Sequence, residues 1–480
     1  MTDSLQRKLV NELNLGDSFC IHPWISLLVN TDGQINCCCV ATSNIISNDV
    51  LPPTGYNNWD EAGLDGIRHP YWVSHLKNST LDKVWNSIDM RALRKRMLTG
   101  KKTSGCSTCY NEEKYGKISY RQRFNEEWMF ELGQEKFKDL ISDNDGYAKE
   151  PPKHLDLRLG NTCNLKCRSC NPHSSDQIAK EHFTFYKKEK YKIWYDTNHG
   201  HHEAVEWMDK KEYEGAIIPD LFERDELWND IYEWLPNMKK IYFTGGEPLL
   251  IKKNLDFLND CIDLGYAKNI FLFINTNCTI FNKQFENILS EFRHVGINPS
   301  IDGYGKTNDY IRSNSKWSVI EKNLIKYIKI PKVQSLINPV YQIYNLNKLH
   351  ELFLYVIELS LTFKKHVAFD PIINYHQKFL DIRNLPIELR QYAIENMQLV
   401  LNKYKEGLHF DGSRVIVSKT MEIELLNGVI AFLKEPQLPD WKQNLKDFVM
   451  LTELYDNTRN QSFDDIDKKL YTEIKKLANG

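Results

Sequence analysis

Three cysteines lie within eight residues, at Cys163, Cys167 and Cys170, in the spacing C-x3-C-x2-C. They cannot all pair with one another, because each disulfide uses two thiols. Cys thiolates hold iron–sulfur clusters, and three local ligands would leave the fourth iron of a cube free for an outside ligand. Zinc is the alternative, but it would need a fourth ligand. The spacing therefore favours a [4Fe–4S] cluster with one open iron.

A second group of cysteines stands in the first quarter of the chain. The turn-prone segment Thr31–Gln34 predicts a hairpin, whose return strand at 35–40 carries the consecutive cysteines Cys37–Cys39. The hairpin would bring that run towards Cys20, and a C-x2-C pair follows after a helix. The predicted metal ligands of this group are Cys20, Cys38, Cys106 and Cys109.

Two alternatives stay open for this second group. Cys37 or Cys39 could replace Cys38, because neighbouring residues of a strand point to opposite faces. The same spacing also permits a structural zinc held by four cysteines. His22 is expected to pack or to support the site rather than to bind metal.

The elements that must position these residues follow from hydrophobic periodicity. Leu155, Leu157 and Leu159 alternate with charged residues, which is the period of a strand. Strands then alternate with helical patterns, which predicts an α/β fold with a parallel sheet. The candidate strands span 154–159, 240–244, 269–275, 296–301, 335–343 and 366–371.

Glycines and polar residues follow several of these strands. Gly245-Gly246-Glu247 comes after the second strand, and Ser300 and Asp302 end the fourth. Ligands of such folds bind at the carboxyl ends of the strands. A turn is the plain alternative at Ser300 and Asp302, because Asp-Gly favours turns.

The cysteine motif, followed by Gly245-Gly246-Glu247-Pro248 after a strand, resembles the signature of the radical S-adenosylmethionine (radical SAM) superfamily. The sequence departs from the family at Ser169, where an aromatic residue is usual. The resemblance implies a partial (β/α)6 barrel. It also implies an enzyme that reductively cleaves S-adenosylmethionine at a [4Fe–4S] cluster. The resulting 5′-deoxyadenosyl radical would take hydrogen from a peptide, a protein or a small molecule.

The resemblance also assigns roles to residues of this sequence. The Gly245-Gly246 backbone would approach the methionine amino group, and Glu247 would support that loop. Ser300 and Asp302 would bind the ribose hydroxyls. Arg312 resembles the arginine that binds the methionine carboxylate, although a surface role is the alternative, and Asn345 is a further cofactor-binding candidate. An electron donor such as flavodoxin or ferredoxin is implied.

The N-terminal cysteines resemble the twitch or SPASM module, which holds auxiliary iron–sulfur clusters in this superfamily. Here the module precedes the core instead of following it. The predicted domains are the module at 1–125, a linker helix at 126–152, the core at 153–375 and a helical C-terminal extension at 376–480.

Composition limits the other possibilities. The 480 residues carry 62 Lys and Arg against 64 Asp and Glu, so a dominant nucleic-acid surface is not expected. No apolar run reaches the roughly 18 residues that span a bilayer, and the first residues lack the pattern of a signal peptide. A cytoplasmic location is therefore expected, where metal binding by cysteines is commoner than disulfides. The alternative function is a noncatalytic or electron-transfer iron–sulfur protein, with zinc at the N-terminal site.

Three further interpretations concern charged and isolated residues. The basic residues of the helix near 81–97, among them Arg94, are expected to face solvent. The histidine-rich run 198–203 in the long insertion 173–235 is expected to be a solvated loop rather than a metal site. Cys261 and Cys278 are isolated, which is typical of buried core thiols.

Overall fold

The computed structural model describes residues 15–16, 18–41, 74–114, 118–199, 221–373, 377–406 and 419–480. Residues 1–14 and residues 200–203 of the histidine-rich run lie outside this description. The strands, in chain order, are β1 (Ser26–Val29), β2 (Ile35–Asn36), β3 (His154–Leu157), β4 (Lys166–Cys167), β5 (Lys240–Phe243), β6 (Phe271–Thr276), β7 (His294–Pro299), β8 (Arg312–Ser313), β9 (Val333–Ile337), β10 (Val340–Tyr341), β11 (Val367–Phe369) and β12 (Ile372–Ile373).

In the part of the chain that the structure describes, helices alternate with the strands of the middle region, and no strand follows β12. They are α1 (His22–Ile25), α2 (Leu81–Trp85), α3 (Ile88–Leu98), α4 (Ser107–Lys114), α5 (Tyr120–Leu132), α6 (Gln134–Leu140), α7 (Asp176–Tyr186), α8 (Glu189–His199), α9 (Asp225–Trp234), α10 (Lys252–Asp263), α11 (Lys283–Glu291), α12 (Lys306–Ile311), α13 (Trp317–Lys329), α14 (Leu349–Phe363), α15 (Ile387–Glu406), α16 (Lys419–Leu433), α17 (Trp441–Arg459) and α18 (Asp464–Asn479).

The chain divides into two compact units. The first comprises Met1–Asn161 with Lys210–Leu272, and the second comprises Thr162–Asp209 with Phe273–Gly480. These units do not follow the predicted domain boundaries, because the N-terminal segment and two strands of the predicted core belong to the same unit. The pairing of strands within the first unit gives the physical reason.

The first unit contains four neighbouring strands in the order β5-β3-β1-β2. The N-terminal strand β1 pairs in parallel with β3, with Ser26 opposite His154, and β3 pairs in parallel with β5. The Ser26 hydroxyl lies 2.8 Å from Nδ1 of His154, so a buried polar contact supports the backbone pairing. The predicted cysteine module therefore extends the strands of the predicted core instead of folding apart from them.

The hairpin at Thr31–Gln34 is present, and Gly33 takes a positive φ of 87° as the turn requires. Its return strand β2 has only two residues and is shorter than the predicted span 35–40. The Asn36 side chain accepts a hydrogen bond from the backbone N–H of Cys37 at 2.8 Å, where the strand ends. Cys37–Cys39 thus lie beyond the strand, and strand alternation does not decide which of them faces the metal site.

The second unit contains the strand order β6-β7-β9-β11, in which β7, β9 and β11 pair in parallel. Alternation of strands and helices confirms the predicted α/β class with a mostly parallel arrangement. All six predicted core strands are present, although their ends differ by a few residues. The described residues of the predicted C-terminal extension include the four helices α15–α18. Within the described residues, no helix combines the length and apolar character needed to cross a bilayer.

Candidate functional site

The loop Cys163–Cys170 is fixed by hydrogen bonds at its beginning. The backbone N–H of Cys163 donates to Oδ1 of Asp176 at 3.0 Å, and Asp176 is the first residue of α7. The Ser175 hydroxyl donates to the carbonyl of Leu165 at 3.2 Å. The side chain of Asn164 donates to the Thr279 hydroxyl at 2.8 Å. The first half of the loop is therefore held by side chains rather than by regular structure.

The second half of the loop is held by a short strand pair. β4 pairs antiparallel with β8, which places Cys167 opposite Arg312. The backbone N–H of Arg168 donates to the carbonyl of Ile311 at 2.8 Å. Backbone pairing thus fixes the position of the middle cysteine relative to Arg312.

The three thiols of this loop are partly or wholly buried. Burial raises the pKa of Cys170, and the neighbouring Cys167 and Cys163 raise it further. Burial also raises the pKa of Cys167, which Arg312 partly offsets. Thiolates in this environment need cationic partners, and the irons of a cluster would supply them. The donor set of Cys163, Cys167 and Cys170 therefore fits an iron–sulfur cluster.

Arg312 connects this loop to Asp302. Its Nε lies 2.8 Å from Oδ2 of Asp302, and its Nη1 donates to Sγ of Cys167 at 3.6 Å. Burial alone would lower the pKa of Arg312, but Asp302 and Cys167 reverse this effect and raise it. The guanidinium is thus a fixed cation beside a predicted cluster ligand, not a surface charge.

Asp302 and Asn345 are both fully buried. Oδ1 of Asp302 accepts a hydrogen bond from the backbone N–H of Val340 at 2.7 Å, while Oδ2 faces Arg312. The Asn345 amide donates to the carbonyl of Asp302 at 2.8 Å. Ser300 is half-buried, and its N–H donates to the carbonyl of Thr276 at 2.8 Å. Asp302 therefore orients the Arg312 side chain, and Asn345 fixes the backbone of Asp302. Contacts of Ser300, Asp302 and Asn345 with a cofactor stay predictions.

The glycine loop of the first unit has a strained and crowded backbone. Gly245 has a φ of 111°, and a Cβ there would lie 3.0 Å from the carbonyl oxygen of Gly160. The N–H of Gly246 donates to that same carbonyl at 3.1 Å. Glu247 is buried, and its carboxylate accepts a hydrogen bond from the N–H of Leu249 at 3.3 Å. The sequence thus requires glycine at position 245, and Glu247 braces the loop.

The four predicted ligands of the N-terminal site line one cavity. Its walls include Cys20, Cys38, Cys106 and Cys109. Burial raises the pKa of Cys20, and the nearby Cys106 raises it further. Of the two alternatives to Cys38, Cys37 is buried and Cys39 is exposed. Cys38 is among the residues that line the cavity, and the choice among the three consecutive cysteines stays a prediction.

His22 also borders this cavity, but its ring is engaged elsewhere. It stacks on Phe124 with ring centroids 3.4 Å apart and planes 9° apart. Burial, with the charge of Lys240, lowers the pKa of His22 to about 3, so the ring is neutral. His22 is therefore a packing residue.

Among the described residues, no set of three or more His, Cys, Asp or Glu side chains is arranged to hold a single metal ion.

The structure buries two arginines that the sequence does not predict to be buried. For Arg94 the sequence predicts exposure, and for Arg168 it makes no prediction. Arg94 was expected to face solvent, but it is fully buried and donates to the carbonyls of Pro23 at 2.9 Å and Trp85 at 2.8 Å. Arg168 lies inside the cysteine motif and is also fully buried. Its position between two predicted ligands is the signal that could have identified it.

Comparison with known proteins adds one family match. Residues 20–110 match SPASM, described as an iron–sulfur cluster-binding domain. These residues include all four predicted ligands of the cavity. An uncharacterized protein of Methanocaldococcus jannaschii, MJ0907, is 30% identical over 226 residues, which are 45% of this chain and 62% of that protein. The chain thus spans less than two thirds of this relative.

Solved structures show weaker likeness. SuiB of Streptococcus suis, solved bound to S-adenosylmethionine, is 14% identical with a TM-score of 0.32 over 69% of each chain. The radical S-adenosylmethionine methyltransferase TsrM of Kitasatospora setae is 8% identical with a TM-score of 0.24, over 31% of this chain and 28% of that one. Scores this low carry no argument about the present chain. The family match confirms that residues 20–110 contain the SPASM-like iron–sulfur module that the cysteine pattern predicts.

Proposed function

We propose that this protein is a radical SAM enzyme that cleaves S-adenosylmethionine at a [4Fe–4S] cluster held by Cys163, Cys167 and Cys170. The single observation that carries the proposal is the cysteine loop itself. It places Cys163 and Cys167 close enough to Cys170 to raise the pKa of that thiol. Its backbone is fixed from both ends, and Arg312 donates to Cys167. The partial (β/α)6 barrel of the superfamily is part of the same proposal.

When bound, the cluster would supply an open iron and one electron taken from an external donor such as flavodoxin or ferredoxin. That electron would break the bond between the sulfur and the ribose 5′ carbon, giving methionine and a 5′-deoxyadenosyl radical for hydrogen abstraction. The protein's part is to bind and orient the cofactor. Arg312 offers a planar fork of donors that suits a carboxylate. Asp302 and Asn345 hold the backbone that positions it.

The Gly245-Gly246 backbone would receive the methionine amino group, because no side chain blocks its approach. Glu247 keeps that loop in place through the N–H of Leu249. The half-buried Ser300 would contact the ribose. The N-terminal cavity would hold an auxiliary cluster on Cys20, Cys38, Cys106 and Cys109, which line it together.

The test is anaerobic reconstitution with iron, sulfide, a reductant and S-adenosylmethionine, followed by chromatographic detection of 5′-deoxyadenosine. The wild-type protein should form it. The variant with Cys163, Cys167 and Cys170 all replaced by Ala should form none. Cys261→Ala, which alters a buried thiol of helix α10, is the matched control and should retain product formation. Equal product from the triple variant and the wild type would exclude the proposed site.

A further inference from the structure

Arg168 occupies an unusual place, inside the cysteine motif and between Cys167 and Cys170. Its side chain is fully buried. The guanidinium carbon lies 3.7 Å from the ring centroid of Tyr310 and 5.2 Å from that of Tyr344. Nε donates to the carbonyl of Tyr310 at 3.0 Å. A guanidinium buried among aromatic rings needs an anionic partner, because an unpaired buried charge is costly.

That anion is Asp456, near the end of helix α17. Nη2 of Arg168 forms an ion pair with Oδ1 of Asp456 and also donates to Oε1 of Gln461 at 3.1 Å. The same carboxylate accepts hydrogen bonds from the Tyr310 hydroxyl at 3.0 Å and from the N–H of Phe463 at 2.9 Å. The C-terminal extension therefore reaches into the cysteine motif with a charged group.

A second residue of helix α17, Arg459, contacts the cysteine motif just before Cys167. Arg459 donates through Nη1 to the carbonyl of Lys166 at 2.8 Å and to the Ser313 hydroxyl at 3.1 Å. Its Nε donates to Oε1 of Glu181 at 3.0 Å. The C-terminal end of α17 thus contacts the residues immediately before and immediately after Cys167, Lys166 and Arg168.

We propose that helix α17 positions the cluster-bearing loop, and that the ion pair of the buried Arg168 with the partly buried Asp456 sets the reduction potential of the cluster held there. This inference rests on the proposed function, because it requires a cluster on Cys163, Cys167 and Cys170. The potential of an iron–sulfur cluster depends on nearby charge and hydrogen bonding. A nearby cation favours the more negative reduced cluster, and a nearby anion opposes it. The two members of the pair therefore act with opposite sign.

The experiment is a redox titration of the reconstituted full-length protein, monitored by electron paramagnetic resonance (EPR). It follows the cluster signal that changes when S-adenosylmethionine is added. Asp456→Asn keeps the shape of the side chain but removes its charge, so the potential should shift to more positive values. Arg168→Gln should shift it to more negative values. Asp456→Glu should restore the wild-type potential. Glu473→Gln removes the carboxylate of a more exposed ion pair on α18 and should change nothing.

The opposite signs separate this account from simple loosening of the fold, which would move both variants in the same direction. A variant that is folded by circular dichroism but binds no iron at the loop also supports the positioning role. If either variant does not fold, the sign of the shift in the other decides. Wild-type potentials in folded Asp456→Asn and Arg168→Gln proteins would overturn the inference and leave the proposed function intact. A wild-type protein without a responsive cluster would overturn the proposed function itself.

Discussion

At the scale of single residues, Arg312 contacts both a buried carboxylate and a predicted cluster ligand. Its guanidinium neutralises the fully buried Asp302 and contacts Cys167 Sγ at 3.6 Å. One N–H direction of an arginine fork can serve an internal carboxylate while others remain available for a ligand. The side chain is therefore oriented before any cofactor binds.

Replacing Arg312 by Ala should weaken S-adenosylmethionine binding by about 1.5 to 3 kcal/mol, the scale of a hydrogen bond to a charged group. The free energy of unfolding should fall by about 3 to 5 kcal/mol, because Asp302 loses its buried partner. Isothermal titration of the reconstituted protein and denaturant unfolding measure the two effects, and iron content should hardly change. Arg293→Ala, at an exposed position, is the control. Unchanged cofactor affinity in the Arg312→Ala protein would remove Arg312 from the binding site.

Residue types and spacing are enough to propose ligand sets, because metal ligation depends on a few side chains close in sequence or on a recognisable pair. Residue types and spacing could not predict which polar residues form ion pairs or hydrogen bonds with one another. Arg168 and Asp456 are 288 positions apart, and no local pattern links them. The burial of Arg94 is not predicted for the same reason, since two of its acceptors, the carbonyls of Pro23 and Gly146, come from distant segments.

At the scale of elements, the glycine loop after β5 depends on close backbone contact. Gly245 has a positive φ, and its missing Cβ leaves room for the carbonyl of Gly160. Gly265 also has a positive φ, of 79°, but a Cβ there would meet nothing within 4 Å. The two glycines therefore separate backbone strain from crowding.

Gly245→Ala should lower the free energy of unfolding by about 1 to 3 kcal/mol, the scale of a strained backbone, and should also weaken S-adenosylmethionine binding. Gly265→Ala should reduce stability by about 1 kcal/mol and leave cofactor affinity unchanged. Denaturant unfolding and titration calorimetry give both quantities. Equal cofactor affinity in the Gly245→Ala and wild-type proteins would show that this loop does not meet the cofactor.

Hydrophobic periodicity predicted the six core strands because each strand carries its pattern in its own local sequence. It could not predict the parallel pairing of β1 with β3, whose residues Ser26 and His154 are 128 positions apart. Periodicity states which face of a strand is buried but not which strand lies beside it. The sequence therefore predicts a boundary between module and core that the pairing of β1 with β3 crosses.

At the scale of the whole molecule, the sequence carries two separate cysteine systems with different expected properties. The loop Cys163–Cys170 offers three thiolates, and the N-terminal cavity offers four. A site with four thiolates would be fully ligated and should not bind S-adenosylmethionine. The two sites are therefore distinguishable by their composition and by their response to the cofactor.

The protein with Cys163, Cys167 and Cys170 replaced by Ala should keep the N-terminal cluster, with about four irons and about four sulfides for each chain. Additional replacement of Cys106 and Cys109 by Ala should remove them. Metal analysis and sulfide determination provide the counts. Zinc without sulfide in the triple variant would identify the N-terminal site as a structural zinc of four cysteines, and the auxiliary-cluster proposal would be wrong.

The most direct test of the central claim is EPR of the reduced, anaerobically reconstituted protein with and without S-adenosylmethionine. An open iron on the Cys163–Cys170 loop predicts a [4Fe–4S] signal that shifts when the cofactor is added, because the cofactor becomes a ligand. The shift should vanish in the triple Cys→Ala protein and persist in the Cys106→Ala/Cys109→Ala protein. A cluster signal that does not respond to the cofactor, or a response that survives the triple replacement, would contradict the claim.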